Sequence, residues 1–327
     1  MKFLPALTLL IFVFPQYLFS QSIDSLQTDE QVLAFVKKHS TPSFCGTPNS
    51  REEISFIVDG HLPETGECNP LKQALGIKHF EKADFDNNGI TDLLFSGYRK
   101  CERSDYATRT VFVVLAYGND SFRVKNLVMM KFRFDCFAAK VVRFNQQDAI
   151  SFAGVTNSQG RQKPGSTQII RDTLLYKFDD FVEKNESTEI PVIEDLQLGT
   201  SNCFGTCPVF NILIDNKRQV NFFPRSYSMS EKSGKMSMEE SGEYKAQLDT
   251  ATYNTIMAIV VQSGFERLDD KYTASWTDDQ TALLIITYNN GKTKTIRDYG
   301  LNGSYTLALL YKRLSALRET LDWEKVK

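Results

Sequence analysis

Residues 281–299 read TALLIITYNNGKTKTIRDY. Apolar and β-branched residues fill its first half, and Thr alternates with charged or apolar residues in its second. Between them stands Asn289-Asn290-Gly291, a triplet that tolerates the left-handed backbone of a tight turn, so the stretch predicts a β-hairpin. Downstream, Leu307, Leu310, Tyr311, Leu314, Leu317 and Leu321 recur at helical spacing on one stripe. Upstream, Asp249 is placed to cap a helix carrying Tyr253, Ile256, Met257 and Val260 on one face, ended by Gly264. Further upstream, GEYKAQL (242–248) reads as a strand, and PVFNILI (208–214) pairs with QVNFF (219–223) across Asp215–Arg218. VIEDLQLGT (192–200) adds another strand. The order strand, hairpin, strand, helix, hairpin, helix predicts a mostly antiparallel sheet covered by two helices.

The first half reads differently. Thr28 and Gln31 have capping-box spacing before a short helix with Val32, Phe35 and Val36 on one face. From about residue 80 come strands: DLLFSGY, then RTVFVVLAY and SFRVKNLVMMKF, the last two separated by the turn Gly118-Asn119-Asp120, then AKVVRF, AISFAGV and TLLYKF. NSQGRQKPGS (157–166) is an expected exposed loop, and EKNESTE (183–189) is polar enough for a linker. The expected organisation is a signal peptide over 1–20, a β-rich domain over 21–186 and an α+β domain over 187–327, so the chain is α+β overall.

The chain has 327 residues, enough for two cores, and 42% of them are hydrophobic, which excludes wholesale disorder. With 38 basic against 40 acidic residues there is no surplus of positive charge for a phosphate backbone, so nucleic acid is not an expected partner. Lys2 followed by LPALTLLIFVFPQYLFS has the n-region and apolar core of a secretory signal, broken by Pro15 and ending in the small residue Ser20. The expected product is exported, periplasmic or extracellular, with no membrane-spanning segment after cleavage. In an oxidising compartment the six cysteines, Cys45, Cys68, Cys101, Cys136, Cys203 and Cys207, are expected to form disulfides. Chain order suggests 45–68, 101–136 and 203–207.

Residues 84–92 read DFDNNGITD. Alternate Asp84, Asp86 and Asn88, then Gly89, the Ile90 carbonyl and Asp92, supply hard oxygen donors at the spacing a calcium loop uses. Phe95 stands where an EF-hand needs a bidentate Glu, and a strand follows where it needs a helix. The stretch ADFDNNGITDLL (83–94) instead resembles the calcium loop of FG-GAP and VCBS-type repeats, in one copy, with Asn88 in place of the third acid. That resemblance implies a structural Ca2+ held between two strands. The competing reading is a metal-free turn, which Asp, Asn and Gly favour for local reasons.

SNCFGTCPVF (201–210) admits three readings. A thioredoxin-type redox centre uses Cys-x-x-Cys at a helix start, whereas this motif has one more residue and runs into a strand. A copper clasp of the type the Sco family uses needs a downstream His, and His39, His61 and His79 all lie upstream. A local disulfide staple fits best: Gly205 lets the loop close, and Pro208 enters the strand where its missing N–H is harmless. LGTSNCFGTCPVFNILIDNKRQVNF, followed in order by GEYKAQL, the helix from Asp249, GFERLDDKY and the Gly291 hairpin, resembles the bacterial family domain of unknown function 6438 over about 193–321. The resemblance implies a fold unit and an exported setting and carries no catalytic residue; this sequence departs from it in the long Ser-rich insert at 226–241, where a shorter connection is expected.

The chain contains no GxSxG, HExxH or phosphate-binding glycine loop. Asp179-Asp180, Asp269-Asp270 and Asp278-Asp279 read as solvated acid pairs, and Trp276 as a half-buried loop anchor or a small carbohydrate or peptide platform. The expected function is therefore an exported, non-enzymatic binding or envelope-associated protein, with an envelope protein or a glycan as partner. The alternative is an exported hydrolase or thiol redox or metal-handling protein whose site is assembled from distant residues.

Overall fold

The computed structural model describes residues 22–39, 54–58, 76–101, 107–129, 132–156, 169–229, 240–274 and 276–326. The expected signal segment, the loop 157–166, Cys45 and Cys68 lie outside them. The fold is α+β and rich in strands, and among the described residues every strand pairing is antiparallel except one short parallel edge contact.

The N-terminal part is layered. Helix α1 (Asp29–His39) opens on the expected capping box: the Thr28 N–H donates to Gln31 Oε1 at 3.2 Å, and the Gln31 N–H donates to Thr28 Oγ1 at 3.3 Å. Val32, Phe35 and Val36 are buried, with Ile23 and Leu26, against Leu93, Phe95, Phe112 and Val114. Those residues belong to β3 (Asp92–Cys101) and β4 (Thr108–Ala116), the centre of a five-stranded sheet completed by β1 (Ile54–Val58), β2 (Phe80–Ala83) and β5 (Phe122–Asn126). Side chains alternate faces along a strand, so Leu94, Val111, Val113 and Leu115 point the other way. They pack on a second sheet of β6 (Phe132–Phe144), β7 (Gln147–Thr156), β8 (Ile169–Lys177) and β9 (Asp180–Glu183) through Phe137, Ile150, Phe152 and Leu174. The expected strand through SFRVKNLVMMKF is cut short at Asn126. There the Asn126 side chain accepts the Val128 N–H at 3.0 Å, a local turn that competes with the ladder.

The C-terminal part is an eight-stranded sheet in the order β14-β16-β15-β10-β11-β12-β13-β17. Its main strands are β10 (Ile193–Thr200), β11 (Val209–Asp215), β12 (Gln219–Ser226), β13 (Tyr244–Gln247), β15 (Thr281–Tyr288) and β16 (Lys292–Tyr299), with β14 (Lys271–Tyr272) and β17 (Glu324–Lys325) as short edges. The Asn289-Asn290-Gly291 turn has positive φ at all three residues, as its composition predicts. Helices α2 (Thr250–Gln262) and α3 (Tyr305–Thr320) cover one face, burying Leu196, Leu198, Phe210, Ile212, Leu284 and Ile286 beneath Ile256, Val260, Leu310 and Leu314. Asp249 caps α2 by accepting the Thr252 N–H at 2.8 Å. The opposite face has no helix on it among the described residues and carries Gln197, Asn211, Leu213, Phe223 and Leu283.

The two parts meet at β9, a strand that the sequence pattern does not announce. Phe181 packs into the core between the first two sheets, and Val182, its neighbour on the opposite face, packs into the C-terminal core. Glu183, expected in a linker, closes the N-terminus of α3: its carboxylate accepts from the Tyr305 N–H at 2.6 Å, the Thr306 N–H at 2.8 Å and Thr306 Oγ1 at 2.6 Å. Asn185 donates to Val261 O at 2.8 Å, and Gln262 donates to Glu183 O at 2.7 Å. A carboxylate on free helix amides gains from both hydrogen bonds and the helix dipole. Glu183→Ala is therefore expected to lower the unfolding free energy by about 2 kcal/mol, and Glu183→Gln by about half of that, in urea denaturation. Equal losses for both variants would show that the charge contributes nothing.

Candidate functional site

The loop 201–208 joins β10 to β11. Cys203 and Cys207 form the expected disulfide, with Cα atoms 5.8 Å apart. Gly205, at φ 143°, takes a backbone conformation that an L side chain would strain. The chain leaves the bridge as strand β11 rather than as a helix, so no helix dipole acts on the sulfurs. Of the described histidines, His79 pairs with Asp29 at 2.8 Å and His39 packs on Phe35 and Phe122, all in the N-terminal part. Cys136 is buried and disulfide-bonded, and its partner and the Cys101 side chain lie outside the described side chains. Among the described residues no cysteine is free.

The staple does not act alone. The segment 276–281, distant in sequence, holds the loop along its length. Gln280 Nε2 donates to Ser201 O and to Pro208 O, both at 2.8 Å, tying the loop's two ends with one carboxamide. The Ser201 N–H donates to Thr281 O, the Thr281 N–H donates to Ser201 Oγ, and the Phe204 N–H donates to Asp278 O, each at 2.9 Å. Trp276 is the anchor of its own loop: its Nε1–H donates to Asp279 Oδ2 at 3.0 Å, and its ring lies so close to Gly300 that a Cβ there would sit 2.9 Å from Cζ2. Asp279 is thus not simply solvated. Asp179 and Asp180 also differ from the expectation of solvated pairs, since they bind Arg123 and Lys125 across the first two sheets. Asp270 pairs with Lys294 at 2.7 Å.

At the tip of this braced loop Phe204 is 90% exposed, more than any other large hydrophobic side chain described. Beside the loop, Thr200, Asn202, Asn211, Arg225, Ser226 and Glu240 line an open cleft of about 460 Å³ at the end of the sheet. Glu240 Oε2 is engaged by the turn at 228–229, accepting from the Ser228 N–H, Ser228 Oγ and the Met229 N–H at 2.7–3.0 Å. The cleft was not legible in the sequence, because its residues come from β10, β11, β12 and the far end of the 226–241 insert.

The acidic loop joins β2 to β3. Oxygen atoms of Asp84, Asp86 and Asp92 all lie within 4.8 Å of one another. Asp92 is fully buried, and its two oxygens accept the Phe85 N–H at 2.9 Å and the Ala116 N–H at 2.8 Å. Asp84 accepts the Asn88 and Gly89 N–H groups at 3.1 and 2.9 Å. Asn88 has its Oδ1 on the Ile90 N–H at 2.7 Å, and its Nδ2–H donates to Ala116 O at 2.8 Å. Ile90 is exposed, and nothing places its carbonyl among the acidic oxygens. Burial, reinforced by Asp86 and Asp84 and opposed by the two amides, pushes the Asp92 carboxyl up to about 7. Burial also raises Asp86, with Asp84 adding to it. Each carboxylate oxygen already bonded to an amide keeps a second lone pair, so Asp84, Asp86 and Asp92 retain the hard donors a calcium ion takes. Phe85 turns inward to the core between the sheets and meets Phe181 edge-on at 5.8 Å, so the loop is also a plug.

No curated protein and no solved structure matches the chain. Residues 194–318, the C-terminal part of the chain with the stapled loop and all of its sheet but the edge strand β17, match the model of the family described as Domain of unknown function (DUF6438).

Proposed function

We propose that the protein is an exported, non-enzymatic binding protein of the cell envelope that recognises its partner with the stapled end of the C-terminal sheet. The observation that carries this reading is Phe204. An aromatic ring held out in water on a loop braced by a disulfide and by Gln280 is costly to leave exposed, and it loses little further freedom on binding. Such rigid aromatic anchors dominate recognition surfaces. Export supplies the oxidising compartment in which the bridge persists. The test is co-sedimentation with purified insoluble cell-envelope glycan. Phe204→Ala is expected to weaken binding by about thirtyfold while leaving the melting temperature unchanged. Equal binding by wild type and variant would overturn the reading, as would recovery of the protein in the cytosol with its thiols reduced.

The acidic loop supports a second element of this proposal, a structural calcium brace formed by Asp84, Asp86 and Asp92. An ion there would supply positive charge to three crowded carboxylates and fix the loop that carries Phe85; no activated water is asked of it. Calcium at about ten times its dissociation constant is expected to raise the melting temperature by about 2–4 °C over chelator, and Asp86→Ala to abolish the rise. An unchanged melting temperature would reduce the loop to a turn.

A further inference from the structure

The cleft beside the stapled loop has the chemistry of a ligand site. Asn202, Asn211, Arg225 and Ser226 line it, and no other described group hydrogen-bonds to any of those four side chains. Polar side chains of the neighbouring loop are consumed by local contacts: Gln280 by the Ser201 and Pro208 carbonyls, and Asp279 by the Trp276 indole N–H and the Gln280 N–H. Here a cation, two carboxamides and a hydroxyl line one cleft with no hydrogen-bond partner among the described residues.

Backbone geometry fixes one of them. Gly199 lies opposite Asn211 in the ladder, and a Cβ on Gly199 would come within 2.5 Å of Asn211 Oδ1. The carboxamide of Asn211 therefore lies across the bare backbone of β10, in a position only glycine leaves open. Arg225 is exposed on β12, and the one carboxylate in the lining, Glu240, has an oxygen committed to the 228–229 turn.

We infer that this cleft binds a carboxylate-bearing sugar, with Arg225 pairing the carboxylate and the carboxamides of Asn202 and Asn211 reading neighbouring hydroxyls. The inference rests on the binding function proposed for this end of the sheet and names its ligand class. A guanidinium presents two parallel N–H donors that match a carboxylate, which selects an anion of that shape. A carboxamide both donates and accepts, as a sugar hydroxyl does, so two of them suit a polyhydroxylated ring better than an apolar ligand. The cleft volume of about 460 Å³ is in the range of small-ligand sites. Asn202 of the cleft lies two residues before the exposed Phe204 on the same braced loop.

The test is a calorimetric titration of the full mature protein with glucuronate, galacturonate and N-acetylmuramate. Glucose, galactose and N-acetylglucosamine serve as neutral counterparts, and acetate as a bare carboxylate. At least one acidic sugar is expected to bind about tenfold or more tightly than its neutral counterpart and than acetate. Arg225→Gln is expected to lower affinity for the acidic sugar until it no longer exceeds that for the neutral counterpart, and Gly199→Ala to weaken both by displacing Asn211. Three results would overturn the inference: no acidic sugar bound at millimolar concentration, acidic and neutral sugars bound alike, or an acid preference that survives Arg225→Gln. Co-sedimentation with envelope glycan separates the two levels. If binding there is lost in Phe204→Ala but intact in Arg225→Gln, the binding function stands and the cleft inference fails; if binding is intact in Phe204→Ala, the broader reading fails.

Discussion

Asp92→Ala is expected to lower the unfolding free energy by about 3–5 kcal/mol, with calcium present or chelated. The fully buried carboxylate satisfies the Phe85 and Ala116 amides, and removing it leaves two buried donors without acceptors at about 1–3 kcal/mol each. In chelator the loss is partly offset, because the variant also removes a carboxylate crowded by Asp84 and Asp86. Asp92→Asn keeps one acceptor oxygen but presents an amide N–H2 to the second backbone donor, so an intermediate loss is expected. Urea denaturation of both variants in calcium and in chelator checks the result. A loss below about 1 kcal/mol in chelator would show that Asp92 acts only through a bound ion, and that the amide contacts are incidental.

The second large effect is at Tyr305. This side chain opens helix α3 of the C-terminal part, yet it is buried in the core between the first two sheets, within 6.0 Å of the Phe152 ring. Its hydroxyl donates to Leu127 O at 2.7 Å, across 178 positions of sequence. Tyr305→Ala is expected to cost about 3–5 kcal/mol, the range for emptying a buried aromatic site. Tyr305→Phe is expected to cost about 1–2 kcal/mol, because it keeps the ring and strands the Leu127 carbonyl. The ring plugs one part of the molecule from the other. Amide hydrogen exchange in Tyr305→Ala is therefore expected to quicken both at Ile150 and Phe152 and at Leu310 and Leu314. Protection lost on the C-terminal side alone would mean that the ring does not couple the two cores.

Much of this architecture was legible because local signals agree with the global fold. The Thr28–Gln31 capping box, the Asp249 cap, the Gly264 stop at φ 58° and the left-handed turns at Gly118-Asn119-Asp120 and Asn289-Asn290-Gly291 mark element ends with chemistry that works within a few residues. The alternating burial along β11 and β12 is equally plain in their composition. The elements that escaped have no local signature. Strand β9 is four residues long and looks polar, and only its seat between two cores makes Phe181 and Val182 buried neighbours. Glu183 reads as a solvated acid until α3 is folded against it. The candidate site was half visible: the CFGTC staple announces itself, but the cradle Gln280 makes for it and the cleft beyond Asn202 arise from pairing β10 with β11 and β15. Period-2 patterning identifies each strand and is silent on its neighbours.

The placement of Glu183 has an outcome for anyone cutting the gene. The family match starts at residue 194, whereas the acid that quiets the amides opening α3 sits eleven positions earlier. An excised fragment trimmed to the match would begin with that helix end bare and with the socket for Val182 open to solvent. Its proper border for expression lies upstream of Asp180, outside the matched residues.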